Sequence, residues 1–162
     1  MSITLATSQK AIDQLFQQAA KILYDCIKCN LSYLGETCVA KVRDRSGFES
    51  WYDQTGNLRS SVGYAIFSHG QKEIQSAFSS VLGGKEGSRK GREMIAELAS
   101  QYSETFALVV IAAMDYAQFV EAIEGKDVLA STENYAKQEV DRYLRKAIKE
   151  AEKKIQALEV RL

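Results

Sequence analysis

From Ser8 onward, apolar residues return every three or four positions: Ile12, Leu15, Phe16, Ala19, Ile22, Leu23, Cys26 and Ile27, then Leu31, Leu34, Cys38 and Val42. That spacing marks one face of an amphipathic helix, with Ser8 as its N-cap and the polar group Asp44-Arg45-Ser46-Gly47 as its end. Unbroken over residues 8–45, such a helix holds about 35 residues and runs roughly 50 Å at 1.5 Å per residue. Gly35 is the expected place for a bend or a frayed turn.

The period then changes. Asp53-Gln54-Thr55-Gly56-Asn57 is turn chemistry, and after it Leu58, Val62, Tyr64 and Ile66 alternate with Arg59, Ser61, Gly63 and Ala65. Period two predicts a half-buried strand. Ser68-His69-Gly70-Gln71 reads as a turn, and Ile74, Ser76 and Phe78 restart the alternation, so a hairpin is expected. Residues 83–91 hold four of the ten glycines and read as a mobile loop, followed by a short amphipathic helix on Met94, Ile95, Leu98, Ala99 and Tyr102. Thr105 to Met114 is apolar on both parities, the pattern of a central strand covered on both faces. Asp115 to Ala122 reads as a turn of helix. Residues 132–160 carry Val140, Leu144, Ile148, Ala151, Ile155 and Leu158 as one helical stripe. Helices packed on a small, mainly antiparallel sheet make an α+β fold, expected as a single domain over 1–162, with the sheet in 55–114.

Composition sharpens this picture. The 162 residues contain no proline, so no helix is interrupted by a ring clash or a missing amide donor. Twenty-one basic and 21 acidic residues give formal net charge zero, which argues against a globally basic nucleic-acid binder. A 46% hydrophobic content removes the disordered class. Cys26, Cys29 and Cys38 are odd in number and read as reduced thiols in an intracellular setting. Residues 1–8 lack the charged and apolar regions of a secretory leader. The longest strongly apolar run, Phe106 to Met114, is nine residues, about half a membrane span. A soluble protein made in a cytoplasm is expected, with no membrane association.

No catalytic constellation emerges. Cys26-x-x-Cys29 with Cys38 and His69 matches no zinc spacing, and cysteines on a helical stripe read as small apolar fillers. His69 is the single histidine and sits in a turn beside glycine; no Gly-x-Ser-x-Gly element supplies a nucleophile. Gly84-Lys85 runs into Glu86, which fails the Walker pattern. Lys85, Arg89, Lys90 and Arg92 remain as a local basic cluster suited to a phosphate backbone or a neighbouring subunit. The segment from Lys137 to Arg161 carries eight basic and five acidic residues, a mixed face suited to solvent or to a partner helix. Neither a cofactor nor a metal is expected, and the chain does not read as an enzyme.

Two stretches carry a resemblance. Thr55-Gly56-Asn57-Leu58-Arg59-Ser60-Ser61 ahead of an alternating strand, and Met114-Asp115-Tyr116-Ala117-Gln118-Phe119-Val120-Glu121 after the apolar strand, resemble the two signatures of the small tail-completion, or head–tail connector (neck), family of tailed bacteriophages. The candidate motif residues are Thr55, Gly56, Asn57, Leu58, Arg59, Ser60, Tyr116, Ala117, Val120 and Glu121. Long helices before the first motif and after the second extend the likeness over roughly residues 8–155. The chain departs from the family pattern where Ala122-Ile123-Glu124 delays the following glycine to Gly125.

The resemblance implies a virion structural protein without enzymatic activity, at the tail or neck. Its partners would be copies of itself in a homo-oligomeric ring, the neighbouring connector, portal or tail proteins, and passing DNA through weak non-specific contact. Such a ring closes through heterologous contacts between two different faces of each subunit. Two other classes compete: a cytoplasmic adaptor that binds a partner through its long helices, and a small enzyme using His69 or a carboxylate pair. The Thr55–Ser61 stretch is expected to be structural, with Gly56 at positive φ.

Overall fold

A computed structural model describes residues 8–45, 51–104, 106–123 and 126–159. The expectations that touch residues 1–7, Ser46, Gly47, Thr105, Glu124, Gly125 and the stretch beyond 159 lie outside the described residues. The elements are α1 (Gln9–Arg43), α2 (Asn57–Ser61), β1 (Val62–Ser68), β2 (Gln71–Gln75), α3 (Lys85–Leu98), a 3-10 turn (Ala99–Tyr102), β3 (Phe106–Ala112), α4 (Ala117–Ile123) and α5 (Ala130–Glu159). The class is α+β: long N- and C-terminal helices, a shorter middle helix and one three-stranded antiparallel sheet.

Contacts gather into two compact units, Met1–Asn30 with Arg142–Leu162, and Leu31–Asp141. The first unit is a helix pair. Its core is made of small residues, Cys26, Ala147 and Ala151, ringed by Ile22, Ile27 and Ile155. Asn30 is buried beside them and donates from Nδ2 to the Cys26 carbonyl (3.0 Å) and to Glu150 Oε2 (2.9 Å). Of the expected α5 stripe, Ala151 is buried and Ile155 packs against this core, but Ala147 takes the inward place expected of Ile148, which is 46% exposed. Phe16 and Leu23 of α1 are also exposed, as is Cys29.

The second unit is built on β1. Ser8 caps α1 as expected, its Oγ accepting from the Ala11 amide at 3.3 Å, and the helix is continuous through Gly35. The expected bend is absent because Gly35 serves close packing: a Cβ there would lie 2.4 Å from the Tyr64 ring. Tyr64 also hydrogen-bonds Ser32 across 2.7 Å. On the opposite face, Ala65, Phe67, Phe78, Ile95, Ile111 and Ala113 form one cluster, with Phe67 stacked on Tyr102 at 5.4 Å. The hairpin turns through His69 (φ 50°) and Gly70 (φ 75°), two positive-φ residues as in a type I′ turn.

Strand order corrects the sequence reading. The sheet runs β2-β1-β3, so β1, expected half-buried, is the central strand and is buried along its whole length. β3, expected central, lies at an edge, and six of its seven residues are half-buried. The small residues of β1 were the misleading signal: Gly63 and Ala65 are small because neighbours press on them, not because they face water. The Ala113 amide bonds the Ser61 carbonyl, and with the β1–β3 register antiparallel alternation directs the amides and carbonyls of Leu108 and Val110 outward.

The glycine-rich stretch is the second correction. Residues 85–91, expected as part of a mobile loop, are the first turns of α3. Gly87 lies so close to α2 that a Cβ would meet the Asn57 carbonyl oxygen at 1.9 Å. Leu58, expected on a strand, belongs to α2 and is buried.

Candidate functional site

The turn before α2 is constructed around one carboxylate. Asp53 Oδ1 accepts from the Gly56 amide (2.9 Å) and Oδ2 from the Arg59 amide (3.1 Å), with the Arg59 Nε 3.9 Å away. Gly56 has φ 71°, and a Cβ there would lie 1.8 Å from the Val81 carbonyl oxygen. The position therefore admits only glycine, for conformation and for space. Asn57 Oδ1 accepts from the Gly87 amide at 3.2 Å, and Ser60 Oγ from the Val81 amide at 2.8 Å, fastening α2 to the following segment.

Arg59 caps the end of α1. Its guanidinium donates to the carbonyls of Arg43 and Arg45, the latter at 2.9 Å, where the helix dipole favours a cation. It also lies over the Trp51 ring at 5.1 Å. Glu121 has a parallel duty at the other motif. Its Oε1 accepts from the amides of Leu129 (3.1 Å) and Ala130 (2.8 Å), at the start of α5. Arg45 completes that corner with bonds to Ser131, Thr132 and the Asp127 carbonyl, and an ion pair to Asp127 at 2.8 Å.

The two motifs meet. Thr55 and Tyr116 line one cleft of about 870 Å³, with Asn57 and Leu58 from the first motif and Phe119 and Val120 from the second. The Tyr116 phenol is pushed above its ordinary value, first by burial and then by the charges of Asp53 and Glu86. Trp51, Tyr52, Asp53, Gln54, Met114 and Asp115 complete the cleft beside Glu86 and Lys90 of α3. Three of its side chains are large, apolar and accessible: Tyr52 (83% exposed), Phe119 (64%) and Tyr116 (39%). Such an aromatic wall suits protein contact, since aromatic residues are enriched at the centres of interfaces.

Of the expected site residues, Thr55, Asn57, Leu58, Tyr116 and Val120 line the cleft, whereas Gly56, Arg59, Ser60 and Glu121 hold its walls from behind. Ala117 is buried at the start of α4. The basic cluster divides. Lys90 pairs with Asp115 at 2.5 Å inside the cleft and Arg89 pairs with Glu93 at 2.7 Å, while Lys85 and Arg92 are exposed on α3. They sit on a helix, so the reach expected of a glycine loop is not there. Sequence reasoning did not single out Trp51, Tyr52, Glu86 or Phe119 for the site. Phe119 lay within the quoted motif, and Tyr52 adjoined the turn.

Among the described residues no cluster of three His, Cys, Asp or Glu could hold a metal, and no helix is long and apolar enough to cross a membrane. Compared with known proteins, the chain matches no family model, no curated protein and no solved structure.

Proposed function

We propose that the protein is a virion structural subunit, one copy of a symmetric ring at the head–tail junction or the head-proximal end of a phage tail. The observation that carries this reading is the meeting of the two motif stretches, Thr55–Ser61 and Met114–Glu121, at one open cleft. The antiparallel β1–β3 ladder brings the two stretches together, and the accessible Tyr52 and Phe119 beside them have the character of a docking surface. The mechanism is assembly, without catalysis: folded subunits dock cleft to neighbour until rotation closes the ring, which then seats on a connector or tail end. Lys85 and Arg92 alternate with Glu86 and Glu93 on α3, a mixed face that would tolerate passing phosphates without gripping them.

Disrupting the gene in its phage should give filled heads and finished tails that fail to join, with the protein absent from both. Normal yields of infectious particles would overturn the reading. The competing adaptor reading draws on the sparse core of the helix pair. It predicts that a partner protein binds the wild-type chain and loses it on Phe16→Ser with Leu23→Ser, both at exposed positions.

A further inference from the structure

Taking the cleft as the docking site proposed above, we infer that its occupant is the face of α5 carrying Arg145, Ile148 and Lys149 in a second copy of the chain. Charge complementarity leads to this pairing. The cleft is lined by three carboxylates, Asp53, Glu86 and Asp115, against the one ammonium of Lys90. Asp53 is already engaged by Arg59 and Asp115 by Lys90, which leaves Glu86 as the carboxylate at the rim and gives the cleft a net negative charge. An occupant should therefore be cationic and should bring an aliphatic side chain for the aromatic wall. Among the exposed large apolar residues outside the cleft, Ile148 fits both requirements. Arg145 and Lys149 are exposed beside it, one turn before and one residue after, with Lys153 a turn further on. Residues i, i+3 and i+4 share a helix face, so Arg145, Ile148 and Lys149 present one basic patch with an apolar centre. Glu152 lies on the same side and tempers the charge.

The contact is heterologous. The cleft belongs to Leu31–Asp141 and the patch to the helix pair, so each copy offers one of each and the interaction repeats from copy to copy. Isoleucine burial against Tyr52 and Phe119 supplies the apolar contact, and the rim charges set orientation.

Heterologous pairing has a distinctive test on the purified full-length chain. Glu86→Lys with Phe119→Ala spoils the cleft, and Ile148→Glu with Lys149→Glu spoils the patch; Phe119, Ile148, Glu86 and Lys149 are all exposed, and circular dichroism checks that both variants fold. Sedimentation of the wild type up to about 1 mM should show a mass series extending beyond dimers, weakened several-fold between low and high salt. Each variant alone should be monomeric, while an equal mixture should form a heterodimer and stop there, because only one good cleft and one good patch remain. Trp51, the only tryptophan and a cleft residue, should shift its emission in the mixture. A monomeric wild type throughout, self-association indifferent to salt, or a mixture that stays monomeric would each overturn the pairing. The head–tail reading is judged separately on particles: normal infectivity without the gene would remove that reading even where the heterodimer forms.

Discussion

Around Cys26, the helix pair fully buries three apolar side chains among its described residues, Cys26, Ala147 and Ala151, none of them large. Around Phe67, the sheet unit buries Tyr64, Ile66, Phe67, Phe78 and Ile95 to below 2% or about that exposure. Burial free energy follows apolar area, at ~25 cal/mol per Å², so most of the cohesion lies in Leu31–Asp141. Both units expose large apolar side chains, Phe16, Leu23 and Ile148 in the helix pair and Tyr52, Tyr116 and Phe119 in the sheet unit, but only the sheet unit sets them over a dense core. A unit that is thin in core is suited to completing itself against something else. A unit that is densely packed is suited to holding a cleft rigid.

Substitutions should separate the two. The largest effect is expected at Gly56→Val, where positive φ and the Val81 carbonyl leave no room for a side chain. A loss on the order of 4 kcal/mol or more should appear as failure to fold, read by circular dichroism and soluble yield. Phe67→Ala should cost ~3–5 kcal/mol in urea unfolding, as for other large buried aromatics. In the helix pair, Cys26→Ser should cost about 1–3 kcal/mol through burial of a hydroxyl. If Cys26→Ser proved as damaging as Phe67→Ala, the contrast between the units would fail.

Hydrogen exchange sharpens the same contrast without mutation. Amides in 9–30 and 142–159 should exchange on the order of 100-fold faster than those of β1, because few buried contacts oppose local opening. The smallest effect is a pH dependence at the Arg45–Asp127 corner. Burial alone would raise the Asp127 carboxyl, but the hydrogen bonds from Ser131 and the charge of Arg45 outweigh it and hold it below its ordinary value. A depressed carboxylate adds stability that is fully present above the unfolded value of about 3.9 and is lost as pH falls through the folded value. Asp127→Asn should lower stability near neutral pH by that contribution and converge on the wild type at acid pH, so that its acid limb is flatter; an unaltered acid limb would remove this role for the ion pair.

Much of this was legible in the residues. The long helices, the Ser68–Gln71 turn and the positive φ at Gly56 follow from periodicity and turn chemistry. Residues 83–91 misled because glycine abundance was read as freedom. Gly84, Gly87, Ser88 and Gly91 recur at helical spacing, and their smallness is a packing face against α2 and Phe78. β1 and β3 exchanged places for a related reason: apolar content measures what a strand could bury, whereas position in the sheet depends on which neighbours arrive. The cleft itself was half visible. Its motif residues were named, but the contributions of Trp51, Tyr52 and Glu86 depend on how α2, α3 and α4 come together, and no local pattern carries that.

β3 has a consequence for anyone who produces the protein. Its sequence Phe-Ala-Leu-Val-Val-Ile-Ala is uncharged from end to end, whereas the other edge strand, β2, carries Lys72 and Glu73. Among the described residues, nothing bonds the outward amides and carbonyls of Leu108 and Val110. A bare apolar edge is a template on which any extended chain can add a strand. Overexpressed alone and held at high concentration, the chain should thicken slowly into thioflavin-positive precipitate. Val110→Pro, which removes an outward amide and spares the ladder to β1, should prolong its life in solution.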